Sequence, residues 1–407
     1  MIYVSKKALI YLSFNIFNFD INKTTKIFVK FVLILNKYRN VKNKCKIYIF
    51  HPYSNIGGAD LSISRIIRNL KIRDFDVDFI YLNQQKISKY LDKSQINLIK
   101  VKSKRSIFSI YKVRKYLVKD KEKNYKKYIF ISNQNFANVI SFFILYKFTW
   151  IKHILIERNH LDEFKYQNSL KNKIIKYLIK KLYRNADVII GISKKLSSDL
   201  SKLTKKKVIT IYNPSFDKKI FQFSKTKIKY FKKKNLILSV GRFENQKDPV
   251  TILKAFKLVN KKIDANLLMI GFGSKYNELK NFIKKNNLEK NVQLLVNISN
   301  PYPYYKFAKL FVLASKYEGF GNVIVEAAMF KIPVISSKCN SGPLEILENG
   351  KGGDLFEVGN YKELSKKILD NLKNKNSNKK VNYLYKSLVR FNVKDHCKKY
   401  IKIFNEI

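Results

Sequence analysis

One pattern constrains this chain more than any other: short apolar runs alternate with stretches of helical periodicity, and the series occurs twice. The first series has "KIYIF" (46–50), "VDFIYL" (77–82), "YIFIS" (128–132), "HILIE" (153–157), "DVIIGIS" (187–193) and "VITIYN" (208–213). After the first run come a glycine turn, "SNIGGAD" (54–60), and "LSISRIIRNLK" (61–71), whose Leu61, Ile63, Ile66, Ile67 and Leu70 share one helical face. The second series has "LILSVG" (236–241), "NLLMIG" (266–271), "VQLLV" (292–296), "LFVLAS" (310–315) and "IPVISS" (332–337). Between the two, "YNPSFDKK" (212–219) breaks the rhythm with Asn-Pro, and the lysine-rich stretch to Lys234 has no period. The expected fold class is therefore α/β: two facing Rossmann-like doubly wound domains with a cleft between them. Residues 45–214 form the first domain, 215–234 a linker, 235–390 the second domain, and 391–407 a terminal helix returning to the first domain.

At 407 residues the chain is long enough for two such cores. Apolar residues make up 46%, which excludes a disordered or low-complexity chain. The three cysteines, Cys45, Cys339 and Cys397, are far apart and have no metal-ligand spacing, so neither a disulfide framework nor a structural zinc site is expected, and a reducing cytoplasm fits. A formal charge of +54 points to nucleic acid or an anionic membrane surface. Only ten of the 83 basic residues are arginine, however, and Lys, Asn, Ile, Tyr and Phe are inflated together, as an AT-rich coding sequence would also produce. Residues 1–44 mix lysines with aromatic and aliphatic residues, without an uninterrupted run of roughly 18 apolar residues. They read as a basic amphipathic extension lying on a membrane, or as a poorly ordered extension or the product of a start codon placed too early.

The chemistry concentrates where apolar runs end. "LILSVGRFENQKDP" places Arg242 and Lys247 just beyond a strand's carboxyl end, where open α/β sheets bind ligands and where two cations suit an anion. "GFGS" (271–274) follows another strand end, though turn-making explains it equally well. In "LFVLASKYEGFGNVIVEAAMF", Glu318 falls in the loop after a strand. Gly319, Gly321 and Asn322 open a helix whose first N–H groups favour an anion, and Glu326 lies in its first turns. A carboxylate can accept both hydrogen bonds of a vicinal diol, so two carboxylates flanking such a helix start suit two polyols joined by phosphates, the outline of a nucleotide sugar. "SGPLEIL" (341–347) adds a second glycine turn, at Gly342, able to point amides at the same phosphates. "DFDVDF" (74–79) contains a D-x-D, but its alternation runs on into "IYL" and reads as the polar start of an edge strand, so no metal site is expected.

These segments resemble the retaining glycosyltransferases of family 4, which have the GT-B fold. The likeness is carried by "GRFENQKDP", by the long run from "PYPYYKF" through "YEGFGNVIVEA" to "IPVIS", with its E-x7-E spacing of Glu318 and Glu326, and by "SGPLEILENGKGGDLF". In the first domain "IGGAD", "IERN", "GIS" and "IYNP" add to it. The resemblance implies that Glu326 binds the donor ribose and Glu318 the donor sugar, that Arg242 and Lys247 neutralise the diphosphate, that Gly57 and Gly58 close over the donor, and that backbone amides around Phe320, Gly321 and Asn322 complete the sugar pocket. Two departures stand out: Glu157 and Arg158, with His160 slightly later, where many members have a histidine, and Lys309 where the family usually has Asp. No general base is assigned.

The expected function is retaining transfer of a hexose or N-acetylhexosamine from a UDP-sugar to a lipid-linked or oligosaccharide acceptor, without a cofactor or metal. The expected location is the inner face of the cell membrane, peripherally on an anionic surface, with no specific nucleic acid as partner. Two other classes remain open at this point: a basic nucleic-acid-binding protein and a non-catalytic nucleotide-sugar-binding relative.

Overall fold

A computed structural model of the chain describes residues 42–52, 57–70, 74–82, 91, 96–166, 169–228, 234–373 and 378–407. The N-terminal extension lies outside the described residues except for its last positions, and these already belong to the first strand, which begins at Lys42.

The first sheet is built from β1 (Lys42–Phe50), β2 (Phe75–Tyr81), β3 (Asn97–Lys100), β4 (Tyr125–Asn133), β5 (Ile151–Glu157), β6 (Val188–Gly191) and β7 (Val208–Thr210). All pairs are parallel, in the order β3-β2-β1-β4-β5-β6-β7. Its main helices are α1 (Gly58–Arg68), α2 (Ile110–Lys121), α3 (Asn135–Leu145), α4 (Leu170–Leu182) and α5 (Lys194–Thr204). Ile47 pairs with Val77 on one side and Ile129 on the other, and all three are buried. Helices cover both faces of such a sheet, so its inner strands read as continuous apolar runs.

The second sheet has β8 (Leu236–Val240), β9 (Asn266–Ile270), β10 (Val292–Leu295), β11 (Leu310–Leu313), β12 (Val334–Ser337) and β13 (Asp354–Phe356), parallel and in the order β10-β9-β8-β11-β12-β13. The intervening helices are α6 (Pro249–Asn260), α7 (Tyr276–Lys285), α8 (Asn322–Met329) and α9 (Gly342–Ile346); α10 (Tyr361–Lys373), α11 (Asn378–Ser387) and α12 (Val393–Glu406) follow. In each sheet the strand order reverses beside its first strand, between β1 and β4 and between β8 and β11. Loops leaving neighbouring strands there part in opposite directions and open a crevice at the carboxyl ends.

The structure corrects the reading of the D-x-D. β2 is not an edge strand, because β3 pairs outside it. Asp76 and Asp78 instead hold the buried Lys46 ammonium, at 2.9 and 2.7 Å. Tyr125 and Tyr116 donate to Asp76 and Asp78, and Tyr48 to Asp120 at 2.8 Å. This is a satisfied ion cluster inside the first domain, and its members lie outside the cleft.

The start of the segment read as an aperiodic linker is anchored: Phe216 pairs with Asn392, its N–H donates to Phe391 O at 3.0 Å, and Ile220 is buried. The chain thus leaves the first domain and returns to it along adjacent paths. α12 then lies on the first domain, with Phe404 edge-on to Phe75 at 5.9 Å and Lys127 donating to the carbonyls of Phe404 and Asn405 at 3.1 Å. The three cysteines are free thiols. Among the described residues, no helix is long and apolar enough to cross a membrane.

Candidate active site

The carboxyl ends of both sheets face one cleft of about 460 Å³. Gly57, Gly58, Arg242, Lys247, Glu318, Phe320, Gly321, Asn322 and Glu326 all line it, so residues spread over most of the sequence meet in one place.

On the second domain, the turn after β8 is tied to the loop after β11. Arg242 donates to Gln246 Oε1 at 2.7 Å, and Gln246 Nε2 to Tyr317 O at 3.2 Å. Lys247 forms an ion pair with Glu318, whose Oε1 also accepts from Ser315 Oγ at 2.6 Å. Gly321 takes the left-handed conformation (φ 99°) that starts α8. The Phe320 ring is not in the cleft: it packs on Tyr212 and Phe391 at 5.7 and 5.2 Å, so this residue lines the cleft while its ring anchors the loop.

Glu326 is buried one turn into α8. Its carboxylate stands 3.7 Å from the Arg65 guanidinium of the first domain and 3.4 Å from the hydroxyls of Tyr302 and Tyr305. Burial pushes its pKa up, while Arg65 and the two hydroxyls oppose the shift.

On the first domain, a hydrogen-bonded chain runs from the glycine turn to α8. Asp60 accepts from Gly57 N at 2.6 Å and meets His51 Nε2 at 2.6 Å. His51 Nδ1 faces the Asn133 amide at 2.9 Å, a pattern that assigns the ring proton to Nε2. Asn133 Oδ1 accepts from Arg158 Nε, and Arg158 donates from its first terminal nitrogen to Asn213 Oδ1 at 2.6 Å. Asn213 donates to Asn322 Oδ1 at 3.2 Å, and Asn322 donates to Gly58 O at 3.0 Å. The chain crosses from one domain to the other at Asn322.

Gly342 is the expected site residue that does not line the cleft. A Cβ there would lie 1.8 Å from Phe320 O, and its N–H donates to Ser341 Oγ at 2.6 Å, so this amide is not free for a phosphate. Ser341 Oγ also donates to Gly319 O at 3.0 Å. This turn supports the Glu318 loop from behind.

Of the residues at the expected histidine position, Arg158 and Asn159 reach the cleft. Glu157 does not: it accepts from Tyr183 OH at 2.7 Å and from the N–H groups of Arg158 and Asn159. His160 sits between Asp162 and Asp199, 3.3 Å from each. Sequence reasoning missed Arg65 and Arg68 as cleft residues and gave Arg158, which it noted at the histidine position, no role; these three reach the cleft. One signal could have found them: arginine is rare in this lysine-rich chain, and four of its ten, these three and Arg242, line the cleft. Phe272 of "GFGS" and Asn297 to Tyr302 form the far end of the cleft beyond β9 and β10.

A cleft between two doubly wound sheets, with cations and carboxylates at the strand ends, suits a ligand that carries both anionic and hydroxyl groups, and comparison with known proteins gives the class. Residues 221–386 match the family described as glycosyl transferases group 1. An uncharacterized glycosyltransferase of Methanocaldococcus jannaschii is 33% identical over 274 residues, spanning 63% of this chain and 67% of its own. The N-acetylgalactosamine-N,N'-diacetylbacillosaminyl-diphospho-undecaprenol 4-alpha-N-acetylgalactosaminyltransferase of Campylobacter jejuni is 28% identical, over 77% of this chain and 87% of its own. Among solved structures, Anabaena HepE in complex with UDP-glucose superposes with a TM-score of 0.73 at 16% identity, over 89% of this chain and all of that one, a likeness of fold. The chain belongs to the group 1 glycosyltransferases, and it is an enzyme of the glycosyltransferase class with the GT-B architecture.

Proposed function

We propose that the chain transfers a hexose or N-acetylhexosamine from a UDP-sugar, with retention of configuration, to a lipid-linked glycan in the assembly of a cell-surface polysaccharide or glycoconjugate. The observation that carries this reading is the meeting of Arg242, Lys247, Glu318, Glu326 and the start of α8 in one cleft. Breaking a glycosyl–diphosphate bond builds negative charge on the leaving group, and charges already oriented toward it lower the barrier. Arg242, Lys247 and the N-terminus of α8 supply them, so the reading requires no metal. Glu326 holds the ribose hydroxyls, and Glu318 the sugar hydroxyls near the reacting carbon. Gly57 and Gly58 close over the donor from the first domain. The Campylobacter relative, whose name states a diphospho-undecaprenol acceptor, supports the lipid-linked substrate, and the neighbour solved with UDP-glucose supports the donor.

Calorimetric titration of UDP into the wild type and Glu326→Ala, with a chelator present, tests the donor site. Loss of a charged hydrogen-bonding partner costs roughly 1.5–3 kcal/mol, so the variant is expected to bind about tenfold more weakly or worse. Failure of the wild type to bind UDP, or unchanged affinity in the variant, overturns the reading. The anomeric configuration of the product, read by NMR, decides retention.

A further inference from the structure

We infer that the outer face of the α2-α3-α4 layer in the first domain is a docking surface for an anionic lipid bilayer. The three helices lie side by side on one face of the sheet. Arg114 of α2 locks the layer by donating to the carbonyls of Ile144 and Tyr146 at the end of α3, at 2.7 and 2.8 Å. α4 is apolar on two sides. Ile175 and Ile179 are buried in the domain, while Leu170, Ile174 and Tyr177, at spacings of four and three, share a stripe that faces outward, with Leu170 75% exposed. Among the described residues nothing covers this stripe, whereas a surface helix of a globular domain ordinarily shows water a polar face. The same holds next door: Tyr111 at the start of α2 is 73% exposed and Tyr146 after α3 is 67% exposed, with Phe108 beside them.

Lysine is so common here that charge alone carries nothing; its arrangement around these rings does. Residues 169–186 hold six basic and no acidic residues. Residues 102–123 hold nine basic and two acidic residues, and one of the acids, Asp120, is buried against Lys46 and Lys123. Lys181 lies over the Tyr177 ring and Lys147 over Tyr146, at 5.9 and 5.6 Å. At the edge of the layer an open recess gathers Lys100, Lys102, Lys104 and Lys112 around Phe108. Aromatic rings settle at headgroup depth and lysines meet anionic headgroups, so a bilayer uses both parts of this face. A second copy of the chain would bring like charge against it, and a nucleic-acid backbone would leave the aliphatic stripe unused.

The face borders the cleft: Gln134, just before α3, and Asn159, on the path to α4, both line it. On the proposed function, on which this last step rests, an acceptor held in that bilayer is presented to the cleft from the first-domain side.

The test is flotation of the full chain with phosphatidylcholine vesicles with and without phosphatidylglycerol, at low and high salt. The variants are Tyr111→Ser/Ile174→Ser/Tyr177→Ser and Lys173→Gln/Lys176→Gln/Lys180→Gln, with Val389→Ser as an exposed apolar control on the other domain. All sites are exposed, and melting curves and UDP titration confirm that each variant is folded. The wild type and control are expected to float with anionic vesicles and to be released by salt, and each triple variant to partition about tenfold less or worse. The inference is overturned if the triple variants float like the wild type, if the wild type ignores anionic vesicles, or if it instead shifts duplex DNA at moderate salt or self-associates through this face. Failure of UDP binding alone would overturn the proposed function and leave the docking result standing.

Discussion

Gly319→Ala probes the seam between the domains directly. Gly319 follows Glu318, and a Cβ at this position would lie 1.7 Å from Arg158 O, 2.8 Å from its carbonyl carbon and 3.2 Å from Ile192 Cδ1. The first two are backbone atoms and cannot rotate away. Arg158 is itself held by Asn133 and Asn213 at the end of β5, and Ile192 is buried in the first-domain core. The second-domain loop must therefore retreat by more than an ångström, carrying Glu318 and its partner Lys247 with it. Misplacing reacting groups by about 1 Å costs on the order of a hundredfold in rate, and overpacking costs about 1–3 kcal/mol of stability. On the proposed function, steady-state release of UDP from the donor, with thermal melts alongside, measures both. A kcat within about twofold of wild type, at an unchanged melting temperature, would refute the claim that this contact sets the loop's position.

Three further outcomes are expected. Lys46→Met leaves Asp76 and Asp78 without their cation and should destabilise the protein by about 3–5 kcal/mol in denaturant melts, with partial recovery in Lys46→Met/Asp78→Asn and unchanged activity per folded molecule; an activity loss in that recovered variant would return the D-x-D to the reaction. Asn322→Ala removes the donor to Gly58 O and the acceptor from Asn213, each worth about 1 kcal/mol, so donor affinity should fall roughly fivefold to thirtyfold by titration; equal affinity would mean that the interdomain chain does not assist closure. Burial holds His153 down to about 3, whereas the unfolded chain takes up a proton as pH falls through the ordinary 6.5; the unfolded state then binds more protons, and stability drops with falling pH across that window by up to about 1.4 kcal/mol per unit. His153→Gln should lose less stability than the wild type between neutral pH and pH about 5 in denaturant melts, and parallel curves would contradict the assignment.

What the sequence determined by itself was whatever local pattern can encode. Inner parallel strands are buried on both faces, so "YIFIS" and "LFVLAS" announce themselves, and the break at Asn213-Pro214 separates the two series. Edge strands need only one covered side, and β3 and β13, short and half-exposed, carried no such signal. Glu318, Glu326, Arg242 and Lys247 were legible because each follows or flanks a strand end where a loop or helix start must lie, and all four do line the cleft. Tertiary structure decided which of these groups meet. Arg65 faces Glu326 from 261 positions away, and the chain from His51 to Asn322 spans both domains, distances over which no periodicity or spacing carries information. It also moved Gly342 behind the site and turned the aspartates of "DFDVDF" onto Lys46. The physical reason is common to all of these: backbone pattern sets where a strand or helix ends, whereas the partner of a buried charge is set by the shape of the assembled core, which selects whichever side chain can satisfy it.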